Sequence, residues 1–161
     1  MSTGAIKQAR FPDVHARQAR RGELATVLGL ASAFYVEDGF ATPAADLRRN
    51  LRALLDSDDA RVAVADIRET IVGFAITTLH FGLEQGRSAE LEDLYVEPAH
   101  RRRGIAGALI DDSAAWARSR GCRALELVVA PNGRDVGHLL GFYGRRGFTD
   151  EGRRLLSRTL D

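Results

Sequence analysis

The stretch HRRRGIAGALI, residues 100–110, sets three consecutive arginines against a Gly-Ile-Ala-Gly step and then an apolar run. Before it, LEDLYVEP (residues 91–98) reads as the end of a strand; after it, Ile105, Leu109 and Trp116 recur at helical spacing. The segment therefore joins a strand to a helix. A helix N-terminus leaves about four backbone N–H groups unpaired and carries about half a positive charge, so it attracts phosphate. Gly104, Ala106 and Gly107 keep side-chain bulk away from those donors. Alone, such a turn is weak evidence. It lacks the Gly-Lys-Ser/Thr of a nucleotide P-loop and the spaced glycines of a dinucleotide fingerprint, and an ordinary exposed turn with solvated arginines is the alternative reading.

Working outward, residues 14–19 (VHARQA) alternate weakly and suggest a first strand. From Glu23, the residues Leu24, Val27, Leu28, Ala31, Phe34 and Tyr35 recur at helical intervals, with Gly39 as the stop. TPAADLRRNLRALLDSDD then offers Thr42 as N-cap, Pro43 at the first helical position, and Leu47, Leu51, Leu54 and Leu55 on one face. Three strand-like runs follow, residues 61–67, 71–81 and 89–96, whose short turns predict an antiparallel meander. Downstream, a helix over 104–120 stops at Gly121, residues 124–130 read as a buried strand, a helix spans about 135–146, and FTDEGRRLLSRTL closes with strand character.

With 161 residues, 45% hydrophobic and 28% charged, the chain supports one core. The expected organisation is a loose tail over residues 1–12 and a single domain over 13–161. The formal net charge of +1 argues against a broad basic surface for nucleic acid, so the arginines matter locally. One cysteine, Cys122, leaves no partner for an internal disulfide and no Cys-rich metal site. No apolar stretch approaches the roughly 20 residues that cross a bilayer, and residues 1–10 lack the apolar centre of a secretion signal. The expectation is a soluble, cytoplasmic protein with neither membrane nor nucleic-acid partner.

The run Arg101-Arg102-Arg103-Gly104-Ile105-Ala106 resembles the Arg/Gln-x-x-Gly-x-Gly/Ala signature of the GCN5-related N-acetyltransferases (the GNAT family). It follows LEDLYVEP as that pattern requires, and FYGRRGF (residues 142–148) is similar to the family's Tyr-x-x-x-Gly-Phe ending. The resemblance extends from about residue 14 to the C-terminus. It implies an α/β (α+β) fold: a mixed, mostly antiparallel twisted sheet, flanked by about four helices and splayed open at a central V-shaped cleft holding acetyl-CoA. The gap would lie between the strand ending at Val96 and the strand ending near Ala130. One departure is Val136, where the family commonly has an Asn that contacts the pantetheine arm; Asn132 and Asp135 are the candidate substitutes.

In that setting the resemblance implies that Leu94, Tyr95 and Val96 offer main-chain groups to pantetheine and thioester. Arg101, Arg102, Arg103, Gly104, Ile105, Ala106 and Gly107 would cap the pyrophosphate. The chemistry is attack of an amine on a thioester by direct transfer in a ternary complex. An amine of pKa about 10 is almost wholly protonated at neutral pH and must first lose a proton. Glu92 is the candidate proton acceptor, because two-residue alternation puts it on the face of Leu94 and Val96; Asp93 points the other way unless a bulge shifts the register. The Val96 N–H is the candidate donor to the thioester oxygen. Tyr143 is the candidate acid for the departing thiolate.

Related folds place the acceptor beside the first two helices and the hairpin before the cofactor strand, which brings in Phe34, Tyr35, Glu37, Asp38 and Glu84. Aromatics beside carboxylates suit a cationic amine. The expected acceptor is a small molecule of the diamine or aminoglycoside kind, with a protein lysine or N-terminus as the alternative and a non-catalytic acyl-CoA-binding module as the further alternative. His15, His80, His100 and His138 lack metal-ligand spacing, so no metal is expected. No Gly-x-Ser-x-Gly elbow is present, and Cys122, set between a helix stop and a strand, does not suit an acyl-cysteine route. An apparent edge strand at residues 155–160 favours a homodimer.

Overall fold

The computed structural model describes residues 14–131 and 135–160, so the expected tail over residues 1–12 and the candidate Asn132 lie outside the described residues. Strand β1 (His15–Gln18) leads through a short turn into helix α1 (Leu24–Asp38), which ends at Gly39 in the left-handed conformation (φ 77°). Helix α2 (Ala44–Asp56) begins one residue later than expected. Pro43, extended at φ −60° and ψ 143°, is the cap residue in place of Thr42, and its carbonyl takes the N–H groups of Asp46 and Leu47 at 3.0 and 3.1 Å.

The three central strands form the expected meander: β2 (Ala60–Ile67), β3 (Thr70–Gly82) and β4 (Gly86–Val96). Helix α3 (Ile105–Ser119), strand β5 (Leu125–Glu126) and helix α4 (Gly137–Gly144) follow. The sheet order is β1-β2-β3-β4-β5, antiparallel throughout except for the parallel β4–β5 pair.

Alternation along β2 and β3 divides the core into two layers. Val62, Val64, Phe74 and Ile76 face α1 and α2, packing against Val27, Leu30, Ala31 and Leu51. Ala63, Ala65, Val72 and Ala75 face α3 and meet Ile105, Leu109 and Ile110. Small residues on the second face let one helix lie close to the sheet. Asp112 of α3 fixes the helix in place by accepting two hydrogen bonds from Arg61 of β2, at 2.6 and 2.9 Å.

Two C-terminal expectations are corrected. Residues 124–130 do not form one buried strand; only Ala89↔Leu125 and Glu90↔Glu126 pair, and the chain beyond is half-buried or exposed. An apolar run permits a strand, but a ladder needs a neighbour that stays in register. Residues 148–160 form neither helix nor strand, since β5 is too short to offer them an edge. The edge-strand argument for a homodimer therefore loses its basis. α4 is also shorter than the expected 135–146: the Asp135 carboxylate accepts the Gly137 N–H at 2.8 Å in a turn that precedes the helix.

Gly73, paired with Val96, is the most crowded of the described glycines. A Cβ there would lie 2.8 Å from the Tyr95 carbonyl oxygen and 3.4 Å from Leu109 Cδ1. Gly73→Ala is expected to destabilise the fold by about 1–3 kcal/mol, as overpacking does. Thermal denaturation should register this as a Tm lowered by about 2–4 °C per kcal/mol for a domain of this size. An unchanged Tm would show that β4 yields freely at this point.

Candidate active site

Because β5 leaves β4 after two residue pairs, the rest of β4 has no partner on that side. The resulting cleft, of about 770 Å³, is lined on one wall by Leu91–Val96 and on the other by residues 127–131 and α4. Main-chain geometry decides what β4 presents to it. Glu97 N–H donates to the Val72 carbonyl at 2.9 Å, which makes Gly73↔Val96 a pair without hydrogen bonds of its own. The N–H and C=O of Val96, and two residues earlier those of Leu94, consequently turn away from β3 and into the cleft. Arg101 Nε donates to the Val96 carbonyl at 2.8 Å, and the Val96 N–H remains on the cleft side.

At the end of the cleft the chain passes through a short turn (Pro98–His100) into the loop 101–104 and α3. Gly104 caps the helix at φ 80° and Arg102 sits at φ 62°. A Cβ on Gly104 would meet nothing within 4 Å, so glycine serves its backbone conformation and not a shortage of space within the protein. At Gly107 the reverse holds: an added Cβ would lie 3.3 Å from the Arg146 guanidinium. Arg146 reaches over from beyond α4, lies 3.8 Å from the Phe142 ring centroid, and donates to the Phe142 carbonyl at 3.1 Å. Sequence reasoning missed it, although it stands inside the quoted FYGRRGF run.

The arginines divide. Arg101 is held in the wall: besides Val96, it pairs with Glu37 of α1 at 2.7 Å and lies 5.5 Å from the Tyr95 ring centroid. Arg102, Gly104, Ile105, Ala106 and Gly107 line the cleft, whereas Arg103 does not.

Tyr143 of α4 lines the cleft opposite β4 and is half-buried, with edge-on contacts to Phe142 (5.1 Å) and Phe148 (5.6 Å). Burial raises its phenol pKa above the ordinary value, partly countered by Arg146. The group is therefore protonated at neutral pH. Val136 and Asp135 also line the cleft, at the position where the expected Asn is missing.

Glu92 lines the cleft too, by a different route from that expected. Ile76 pairs with Asp93 and Thr77 with Leu91, so Glu92 is the extra residue of a β-bulge. Leu91 therefore stays on the α3 face while Tyr95 joins the α1 face. Glu92 turns toward α1 as well, accepting the Thr78 hydroxyl at 2.6 Å, away from the face of Leu94 and Val96. Strict alternation fails because the bulge resets it.

Asp93 lies on the same side as Glu92 and borders both the main cleft and a second cavity of about 170 Å³ between α1, α2 and β3. Tyr35 lines the same smaller cavity beside it. Burial first, then the charge of Glu92, pushes the Asp93 carboxyl up to about 6.

Phe34, Glu37 and Asp38 line the main cleft, and Tyr35 the smaller cavity. Glu84 sits in the exposed β3–β4 turn, 3.9 Å from Arg153, outside both cavities. Among the described residues no group of three or more His, Cys, Asp or Glu side chains has the arrangement to hold a metal ion, and no helix is long and apolar enough to cross a membrane.

A family profile described as the acetyltransferase (GNAT) family matches residues 26–148. The chain belongs to that family. It is 30% identical over 100 residues to an uncharacterized N-acetyltransferase of Methanocaldococcus jannaschii, covering 61% of this chain and 43% of that protein. It is 36% identical over 59 residues to the thialysine N-epsilon-acetyltransferase of Bos taurus, covering 37% of this chain and 35% of that protein. The matches thus span less than half the length of these curated relatives. An aminoglycoside N-acetyltransferase solved in complex with CoA shares the fold, with a TM-score of 0.80 at 21% identity over 94% of this chain and 98% of the other.

The raised pKa of Asp93 has a consequence for the stability of this GNAT domain. Folding favours the protonated carboxyl, so its contribution is complete below about pH 4 and is lost as pH rises through about 6. Asp93→Asn, which imitates the neutral form, is expected to unfold at a higher temperature than the parent at pH 7.5. The difference should shrink toward pH 4. A Tm gap that does not depend on pH would show that Asp93 is not held above its ordinary range.

Proposed function

We propose that this cleft transfers an acetyl group from acetyl-CoA to the amine of a small cationic molecule, directly, in a ternary complex. The observation that carries the reading is the pair of Leu94 and Val96 main-chain groups turned into the splay, beside the N-terminus of α3 and across from Tyr143. A pyrophosphate fits the far end. There the first N–H groups of α3 lack intrahelical partners, Gly104 leaves open space, and Arg146 supplies a cation opposite Gly107. Asp135 and the Val136 position would border the pantetheine arm.

Acetyl-CoA brings the thioester, whose carbonyl carbon is the electrophile. The Val96 N–H stabilises negative charge on the thioester oxygen, worth several kcal/mol where such donors are preorganised. Tyr143, kept protonated by burial, gives its proton to the departing sulfur. On the opposite wall, the carboxylates of Phe34's side of the cleft, Glu37 and Asp38, together with Glu92, favour a cationic acceptor. A metal takes no part in any of these roles. The name of the thialysine acetyltransferase among the relatives favours a small aliphatic amine, and that of the aminoglycoside enzyme a larger one.

Acetyl-CoA is expected to bind without added metal, and at one hundred times its dissociation constant to raise stability by about 2.7 kcal/mol. Calorimetry showing no binding at millimolar acetyl-CoA would end this reading. Turnover should then be assayed across diamines, aminoglycosides, amino acids and basic peptides. Activity confined to the peptides would indicate a protein acceptor, and binding with no turnover on any of them a non-catalytic acyl-CoA module. With the best acceptor, Tyr143→Phe should keep acetyl-CoA affinity and lose about 10²–10⁴-fold in turnover. A loss below about threefold would assign the thiolate proton to another group.

A further inference from the structure

At the end of β4 one peptide group is held from both sides. The Glu97 N–H donates to the Val72 carbonyl at 2.9 Å, and the Val96 carbonyl of the same peptide accepts from Arg101 Nε at 2.8 Å. Hydrogen bonds at the two ends of one peptide polarise each other, so each strengthens the other. The Arg101 guanidinium also donates to Glu37 of α1 at 2.7 Å and lies 5.5 Å from the centroid of the Tyr95 ring, which is buried beside Phe34 and Phe74. A single side chain thus joins the last two residues of β4 to α1.

Val96 turns both its N–H and its C=O toward the cleft, and their charges oppose each other there. An oxygen gaining negative charge is drawn to the N–H and repelled by the carbonyl beside it. Arg101 covers that carbonyl with a cation, leaving the donor to face the cleft. Donors held in place before the reaction stabilise developing charge without reorganising. Arginine suits the task, because its planar fork serves the carbonyl from Nε and the carboxylate from a terminal nitrogen at a fixed angle, whereas lysine offers a single point. The Arg101 and Glu37 side chains are 40% and 39% exposed, and a pair so open adds little to the stability of the fold. Its effect lies in geometry.

We propose that Arg101, held by Glu37, is a positioning residue for acetyl transfer: it fixes the Val96–Glu97 peptide and masks the Val96 carbonyl, so that the Val96 N–H meets the thioester oxygen. The assignment rests on the acetyl-transfer reading of the cleft and adds to it a link between the two walls. Glu37 acts through Arg101, besides lending its charge to the carboxylate wall. Arg101 is thereby committed away from the pyrophosphate, which is left to the α3 N-terminus and Arg146.

The test uses the full chain with acetyl-CoA and the best acceptor from the panel. Arg101→Ala should lower kcat by about 10–100-fold, as loss of a charge-assisted hydrogen bond does, with the acetyl-CoA dissociation constant little changed. Arg101→Lys should fall between. Glu37→Ala and Glu37→Gln remove the same charge and should raise KM for the amine alike. Only Glu37→Ala also removes the oxygen that holds Arg101, so it alone should lower kcat, with Tm nearly unchanged. In the Arg101→Ala background it should lower kcat no further. Independently of turnover, proton NMR of the ligand-free protein should show the Glu97 amide shifted upfield in Arg101→Ala, less so in Glu37→Ala, and least in Glu37→Gln. Should Arg101→Ala fail to fold, the comparison of the two Glu37 variants decides alone.

Equal kcat in Glu37→Ala and Glu37→Gln, or independent losses in the double variant, would overturn the assignment and leave acetyl transfer standing. So would an Arg101→Ala variant that keeps kcat and binds acetyl-CoA more weakly, since that outcome puts the guanidinium on the pyrophosphate. A Glu97 amide resonance untouched by every variant would remove the clamp itself. Failure of every amine in the panel to be acetylated would overturn the transfer reading and this positioning role with it.

Discussion

The parallel pairing of β4 with β5 lasts for two residue pairs, and everything in the cleft depends on its ending there. A strand inside a sheet spends its N–H and C=O groups on both neighbours. Past Glu90, β4 has a neighbour only on the β3 side, so alternate residues turn polar main-chain groups into open space. An unpaired edge of this kind is usually a liability. Here it is covered from a distance by α4 and by residues 127–131, which keeps it accessible to a ligand and closed to another strand.

Two further features convert the opening into a polarised site. Gly104 adopts the left-handed conformation that starts α3 directly at the end of the cleft, aligning a helix N-terminus with it. Arg146, drawn over the Phe142 ring, faces that terminus across Gly107. One end of the cleft is thus positive, and the wall bearing Glu37, Asp38 and Glu92 is rich in carboxylates. Arg101 belongs to neither end: its bonds to Val96 and Glu37 join the last residue of β4 to α1, so the two walls share one fixed point.

The bulge at Glu92 has a wide effect. One unmatched residue shifts the parity of β4, so that Leu91 supports α3 while Tyr95 packs with Phe34 and Phe74 under α1. It also brings Asp93 beside Tyr35. Burial and like charge raise the carboxyl there to about 6.

The sequence by itself determined the element order, the meander of β2 to β4, both core stripes and the phosphate-type turn, because each is written in local periodicity or in glycine placement. It also carried the residues that mark the family: the Arg-x-x-Gly-x-Ala run and Tyr143 in FYGRRGF. Tertiary structure decided where periodicity stops being a guide. Whether residues 124–130 and 148–160 become strands depends on having a partner in register, and β4 supplies one for only two residues. Which way Glu92 and Asp93 face depends on a bulge against Thr77, and what Arg101 does depends on the Glu37 carboxylate brought from a distant part of the chain. Patterns of spacing record the interactions a residue makes with its own helix or strand; they do not record the partner that only folding brings alongside.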